Sequence, residues 1–322
     1  MHVKIENIAY YLPKKIEDDN LLQLENPEWD MEKIRIKTGI TKRYISEDAK
    51  ETTTSMAIAA SKKIKNFESL KKKIQSIILI TQSPEFHLPT SSCIIQEKLD
   101  LNKNCMTFDI NHGCSGYIYG LSIAGALIDC NIIDNCLLIC SEKYSSYIKK
   151  NDRNTRTLFS DGAASTLITR SKGKNFIDFA FGTDGSGFDK LIVPKNDLDI
   201  NGKFFEKENL SMSGADIYTF TISKIPKLVK ETLSKNNLLI NDIDLFVFHQ
   251  ASKLVLDTLK KNLNIPDDKI YNNYDKVGNT VSASIPIALK DANDDGFLHK
   301  GQKVMLVGFG VGLSWGACII NF

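Results

Sequence analysis

Compact apolar runs alternate along this chain with longer stretches in which apolar residues recur at helical spacing. Residues 1–10 alternate apolar and polar side chains and predict a strand. The runs Ser76-Ile77-Ile78-Leu79-Ile80-Thr81, Met106 to Ile110, Cys136 to Cys140, residues 163–169, Leu245 to Phe248 and Val304 to Val307 predict further strands, mostly buried. Helical spacing is found over 53–66, around 91–99, through Tyr117, Leu121, Ala124, Leu127 and Ile128, and over 253–262 and 281–292. A polar stretch with Pro13 and Pro27 leads to a turn at Lys37-Thr38-Gly39-Ile40, and Trp315 to Phe322 forms a closing strand. Strands separated by helices predict right-handed βαβ units and an α/β fold with a largely parallel, two-sided sheet.

The plan runs twice. Ser83, after one strand, precedes Cys114 by 31 residues, and His249, after the corresponding strand, precedes Asn279 by 30. Two pseudo-symmetric halves follow, residues 1–172 and 173–322. Cys114 and Asn279 then occupy matching strand-to-helix positions, and with His249 they face one crevice at strand ends, where α/β sheets place their sites.

Composition narrows the class. The 322 residues suffice for two ordinary domains, and 42% hydrophobic with 25% charged residues describes a soluble globular protein. With 41 basic against 39 acidic residues the net charge is only +2, which gives nucleic-acid binding no electrostatic support. No apolar run reaches the ~20 residues of a membrane span. The N-terminus predicts a strand rather than a signal peptide, and seven cysteines, an odd number mostly in apolar runs, predict reduced thiols and the cytoplasm.

Cys114 sits in Gly113-Cys114-Ser115-Gly116, between a strand and a helix. A Cys among apolar residues is often only a small core hydrophobe. At the start of a helix, however, unpaired N–H groups and the macrodipole favour the thiolate and so a nucleophile. His249 after a strand and Asn279 before a threonine have equally plain roles, as a satisfied structural imidazole and a helix cap. Their matched positions in the repeat argue for joint chemistry instead.

Beyond Cys114, the segments Asp161-Gly162-Ala163-Ala164, Phe248-His249-Gln250-Ala251, Gly278-Asn279-Thr280 with Ser282-Ala283-Ser284-Ile285-Pro286, and Gly308-Phe309-Gly310-Val311-Gly312-Leu313-Ser314-Trp315-Gly316 follow in order. In this arrangement the chain resembles the β-ketoacyl-acyl carrier protein synthase III family of thiolase-like condensing enzymes, over essentially its whole length. The resemblance implies a five-layer αβαβα subunit, normally a homodimer, working in the cytoplasm with an acyl-thioester substrate and an acyl carrier protein, without metal or cofactor. It implies that Cys114 carries the acyl group. His249 and Asn279 would hold the enolate from a malonyl-type thioester, and the backbone N–H groups of Cys114 and Val311 would form a second oxyanion hole. Val311 stands where the family usually has glycine. The same fold and residues also admit an acyltransferase acting on an amine or hydroxyl, a cysteine hydrolase, or a non-catalytic binding subunit.

Departures from the family concern the donor. Its Trp and Arg that clamp the adenine of coenzyme A align with Lys33 and Lys37; Arg153 is kept, and another common Arg falls at Leu254, beside Lys253. Lys lacks the planar guanidinium fork, so a weakly held coenzyme A ester or a carrier-borne donor is expected. The residue that gates the acyl tunnel from the partner subunit falls near Leu88, where Phe is usual, so longer or branched acyl groups are expected. His112, two residues before Cys114, is expected to be a hydrogen-bonded structural residue at the strand end, with a second acid/base as the alternative. Asp291-Ala292-Asn293-Asp294-Asp295-Gly296 opens like a calcium loop, but its twelfth position is Gln302, which predicts a solvated turn. The lysines between 62 and 73 are expected on a solvated surface, and Lys149, Lys150 and Arg153 at the site mouth are the favoured contacts for an acidic carrier protein.

Overall fold

The computed structural model describes residues 1–47 and 49–322. Its first sheet has five strands in the spatial order Val3–Tyr11, Gly162–Arg170, Asn135–Glu142, Ser76–Ile80, Met106–Ile110. The second has four, in the order Phe176–Thr183, Ser314–Asn321, Lys303–Gly310, Leu245–Phe248. Both sheets begin with two antiparallel pairings and continue parallel. The counterpart of the Met106–Ile110 strand in the second sheet shrinks to one parallel bridge between Phe246 and Ile270.

The sheets are thus mixed rather than largely parallel. The reason is loop length: residues 311–313 alone join Lys303–Gly310 to Ser314–Asn321, and so short a link can only return the chain antiparallel.

Alternate residues of each strand feed different layers, because side chains along a strand point to opposite faces in turn. Ile78, Ile80 and Leu138 of the first sheet, with Val247, Leu306 and Cys318 of the second, close on helices Gly116–Asp129 and Ser284–Asp294 between them. Ile77, Leu79 and Ile139 face outward, under Ala57 of helix Thr53–Lys62 and Ile95 of helix Ser91–Lys98. Phe246, Phe248 and Val307 face outward on the other side, under helices Gly214–Lys235 and Lys253–Leu263. The strands are apolar on both faces because both faces are covered. The stack is αβαβα, five layers, with two central helices that begin at Gly116, two residues after Cys114, and at Ser284, five after Asn279.

Several elements depart from the sequence expectations. Met31–Thr38 is helical, capped by the Asp30 side chain and ended by Gly39 at φ +69°. Only Met31 on it is buried and Ile36 is exposed, so no apolar stripe marks it. Phe176–Thr183 and the 22-residue helix Gly214–Lys235, with Pro226 inside, lie in a region to which the apolar pattern assigned nothing. The helix expected over 53–66 stops at Lys62, and that expected over 281–292 starts as a 3-10 turn, Val281–Ala283, before Ser284–Asp294. Nor is Asp291–Gly296 merely a solvated turn. Asp291 accepts from Tyr10 Oη (2.9 Å) and Asn273 Nδ2 (2.8 Å), and Asp295 from Tyr271 Oη (2.7 Å), so these carboxylates tie the central helix to its neighbours. Among the described residues no helix is long and apolar enough to cross a membrane.

Candidate active site

The Met106–Ile110 strand ends four residues before Cys114, and the central helix starts two after it, at Gly116. The strand Lys303–Gly310 comes down on this turn from the opposite sheet. A Cβ on Gly310 would lie 3.0 Å from Cys114 Sγ, so only glycine lets the backbone approach the sulfur so closely. Cys114 is 4% exposed. Its own backbone N–H and that of Val311 favour its charged form. Burial, and next the carboxylate of Glu142, act the other way and push the thiol up to about 12. The expected bias toward thiolate is therefore reversed at rest. The thiol stays protonated, and two N–H groups remain to favour negative charge when it develops there.

His249 follows the last residue of Leu245–Phe248, its N–H bound to Val307 O in the adjacent strand (2.8 Å). Its ring is held on two sides: Nδ1 lies 2.7 Å from Ser284 Oγ, and Phe309 packs against it edge to face. Burial pulls its pKa down to about 3, so the imidazole is neutral. Asn279 is fixed by a backbone donor, because Val281 N–H reaches its Oδ1 at 2.9 Å. An N–H can only donate, so the amide nitrogen turns the other way, to 3.5 Å from His249 Nε2. Val281 achieves this at φ +53°, a left-handed conformation that costs a β-branched residue on the order of 1–3 kcal/mol.

Cys114, His249 and Asn279 line one cavity of about 120 Å³, with apolar walls that include Leu158, Phe159, Met212 and Ile217. Leu191 also lines a larger cleft of about 740 Å³, which takes in Val311, Tyr144 and residues 82–87. A small, largely apolar chamber with a thiol, a neutral imidazole and a carboxamide can hold an acyl group and present N–H donors to a carbonyl oxygen.

Other expected residues stand apart from the chamber. Lys33 is exposed and paired with Asp30 (2.8 Å), and Lys37 is exposed on the same helix. Lys253 opens the neighbouring helix and pairs with Asp257 (2.5 Å). Gly39 abuts Lys253, so these lysines share one rim. Arg153 is exposed at the start of the short helix Arg153–Arg156. None of the four lines the Cys114 chamber. Leu88 is 82% exposed, in the loop whose residues 84–87 line the larger cleft.

Four residues of the site carry no role in the sequence expectations. Ser284 and Phe309 lie inside quoted motifs, yet nothing in a motif says which side chain touches the imidazole. Val281 is a residue type for which a left-handed backbone is least expected. Glu142 is fully buried and, among the described residues, no cation pairs with it: it accepts from Gln82 N–H (3.0 Å), Ser83 Oγ (3.0 Å) and Ser282 Oγ (2.8 Å). Burial pushes its carboxyl up to about 7.

Two sheets of one topology, back to back on a central helix pair that carries a buried thiol, define a thiolase-like condensing enzyme. Models of 3-oxoacyl-[acyl-carrier-protein] synthase III match residues 108–185, and of its C-terminal part residues 233–322. The β-ketoacyl-[acyl-carrier-protein] synthase III of Clostridium perfringens is 38% identical over 99% of both chains, and that of Fusobacterium nucleatum 34% identical over 99% of this chain and 98% of the relative. Among solved structures, a 3-oxoacyl-(acyl-carrier-protein) synthase III at 2.1 Å superposes with a TM-score of 0.94 at 35% identity, covering all of both chains. The enzyme of Aquifex aeolicus superposes with 0.90 at 33%, over 99% of this chain and all of the other. The chain belongs to the 3-oxoacyl-[acyl-carrier-protein] synthase III family, and it is an acyltransferase-type condensing enzyme.

Proposed function

We propose that the chain joins an acyl group to a malonyl-type thioester in two half-reactions within the Cys114 chamber. In the first, the thiol of Cys114 attacks an acyl thioester. The oxygen of the tetrahedral intermediate receives the N–H groups of Cys114 and Val311, the donor's thiol leaves with the proton, and acyl-Cys114 remains. In the second, a malonyl thioester loses CO₂, and its enolate oxygen lies between His249 Nε2–H and Asn279 Nδ2–H. The enolate carbon attacks the acyl carbonyl, releasing the 3-oxoacyl thioester and the Cys114 thiolate, which takes up a proton.

The neutral imidazole suits this role. With Ser284 donating to Nδ1, the ring proton sits on Nε2, beside the Asn279 amide, and two donors 3.5 Å apart suit one shared oxygen. The observation that carries the proposal is the convergence of Cys114, His249 and Asn279 on one chamber. The steps balance with thioesters alone and call for no cofactor or metal.

The malonyl donor is taken as a carrier-protein thioester, with Lys149, Lys150 and Arg153 as contacts for the acidic carrier. The rim lysines Lys33, Lys37 and Lys253, lacking a guanidinium fork, point to a loosely held coenzyme A ester or a carrier-borne acyl donor. Leu88 is placed as the partner subunit's contribution to the acyl pocket of a cytoplasmic homodimer, and the halves 1–172 and 173–322 as the two units of the repeat. The test is intact-protein mass after incubation with acyl donors, followed by product analysis with a malonyl donor. An acyl adduct absent from Cys114→Ser, and a product that retains two malonyl carbons, are expected. A free acid, or an acylated amine or alcohol with no malonyl carbon, would overturn the condensing assignment.

A further inference from the structure

Val311, whose backbone N–H favours the charged form of Cys114, lies in the 311–313 turn between strands, where Leu313 is tied to Asp184 through both its N–H (3.0 Å) and its carbonyl (2.9 Å) while the Val311 carbonyl is held from another side. Behind it runs a chain of hydrogen bonds whose direction can be worked out by counting protons. Ser314 Oγ lies 2.7 Å from Val311 O, and a carbonyl only accepts, so the Ser314 hydroxyl proton is spent there. Ser115 Oγ lies 2.7 Å from Ser314 Oγ, so Ser115 must be the donor in that contact. Its own single proton is then used. His112 Nε2, 3.0 Å from Ser115 Oγ, is left with one possible role, that of N–H donor. The polarity is therefore His112 to Ser115 to Ser314 to the Val311 carbonyl. It is the same whether the imidazole is neutral or charged, since Nε2 bears a proton in both.

The ring is held in place to do this. Tyr119 packs edge-on against His112 with centroids 4.2 Å apart, and Phe181 backs Tyr119 at 4.6 Å. Ser115 is the residue immediately after the nucleophile, and it is fully buried. One imidazole outside the chamber is thus tied to both residues whose N–H groups favour the charged sulfur, to Cys114 through its chain neighbour and to Val311 through its carbonyl.

We propose that His112 is a positioning residue for the oxyanion hole of the acylation step, acting through Ser115 and Ser314 to hold Val311 so that its N–H meets the developing oxyanion. The proposal rests on the two-step reaction above. It concerns only the first half-reaction, because His249 and Asn279 serve the second from other elements.

The test measures, on the full chain, the rate of Cys114 acylation by intact mass and the rate of CO₂ release from a malonyl thioester. His112→Phe keeps the ring against Tyr119 and removes the donor. Acylation should slow about tenfold, less than the ~10²–10³ lost with an outright missing oxyanion donor, with KM for the acyl donor and CO₂ release unchanged. His112→Gln, whose amide can donate to Ser115, should restore acylation to within about twofold of wild type. Ser314→Ala breaks the same chain, so combined with His112→Phe it should add little. Equal acylation rates in wild type and His112→Phe would overturn the proposal, as would His112→Gln failing as badly as His112→Phe while CO₂ release persists. If the wild-type chain forms no Cys114 adduct, the two-step reaction itself falls and this inference with it, an outcome distinct from both.

Discussion

At Cys114 two opposed effects are separated in time. Burial keeps the resting sulfur protonated, with a pKa of about 12, while in the proposed reaction the two backbone N–H groups act on the charge that appears during attack. The arrangement depends on close approach. In Gly310→Ala the added carbon would sit 3.0 Å from Sγ and 2.9 Å from Cβ of Cys114. A melting experiment should show a loss of about 1–3 kcal/mol, as overpacked cores do, and the Cys114 adduct should form more slowly or not at all. Unchanged stability and acylation would mean that the strand and turn are less tightly apposed. A second residue-scale prediction concerns the imidazole. Ser284→Ala removes the hydroxyl that, as donor to Nδ1 in the proposed mechanism, leaves the ring proton on Nε2, at a cost of about 1 kcal/mol, roughly fivefold in the decarboxylation rate. Cys114 acylation should not change. Should both half-reactions slow equally, Ser284 supports the fold and not the tautomer.

At the scale of elements, Glu142 links the first sheet to the turn that leads into the second central helix. It ends the Asn135–Glu142 strand and accepts from the 81–83 segment on one side and from Ser282, next to Val281, on the other. Its pKa rises on folding to about 7 from 4.5. The native state therefore holds a proton that the unfolded chain releases. The stability this gives is fully present below about pH 4.5 and is lost as pH rises through 7. Glu142→Gln stays neutral, and its amide can donate to Ser282 Oγ while its oxygen still accepts from Gln82. Thermal melts from pH 5 to 8 should show the variant gaining on wild type as pH rises; a constant gap would show that Glu142 does not titrate there. Elements of this kind were only partly legible. The strands around Ile78, Leu138 and Phe248 are visible in the sequence because both their faces are covered, and the Cys114 turn because glycines flank it. Helix Met31–Thr38 buries a single side chain and so shows no stripe, whereas helix Gly214–Lys235 does carry one, Phe220, Ile225, Leu228, Val229 and Leu233, interrupted by Pro226, which reads as a helix breaker. His249 and Asn279 could be placed through the repeat. Their supports, Ser284 and the left-handed Val281, depend on contacts and backbone angles that spacing does not encode.

For the whole molecule, the notable feature is an open edge. Met106–Ile110 pairs on one side only, and all five of its residues are half-exposed. Phe86 and Leu88 stand exposed on the 84–90 loop. Unpaired edges are usually covered in native assemblies, which fits the proposed homodimer. Sedimentation should give twice the chain mass of 36.1 kDa. Leu88→Asp, which places a charge in the proposed partner pocket, should shift the balance to monomer or raise KM for long acyl donors. A wild-type monomer at micromolar concentration would contradict the assignment of Leu88.

The central claim is that Cys114 serves between two separate oxyanion sites with different donors. The most direct test follows acyl adduct and CO₂ release in a single incubation with acyl and malonyl thioesters, comparing Cys114→Ala with Asn279→Ala. The account predicts CO₂ without adduct in the first and adduct with little CO₂ in the second. Full CO₂ release from Asn279→Ala, or a stable acyl adduct on Cys114→Ala, would contradict it.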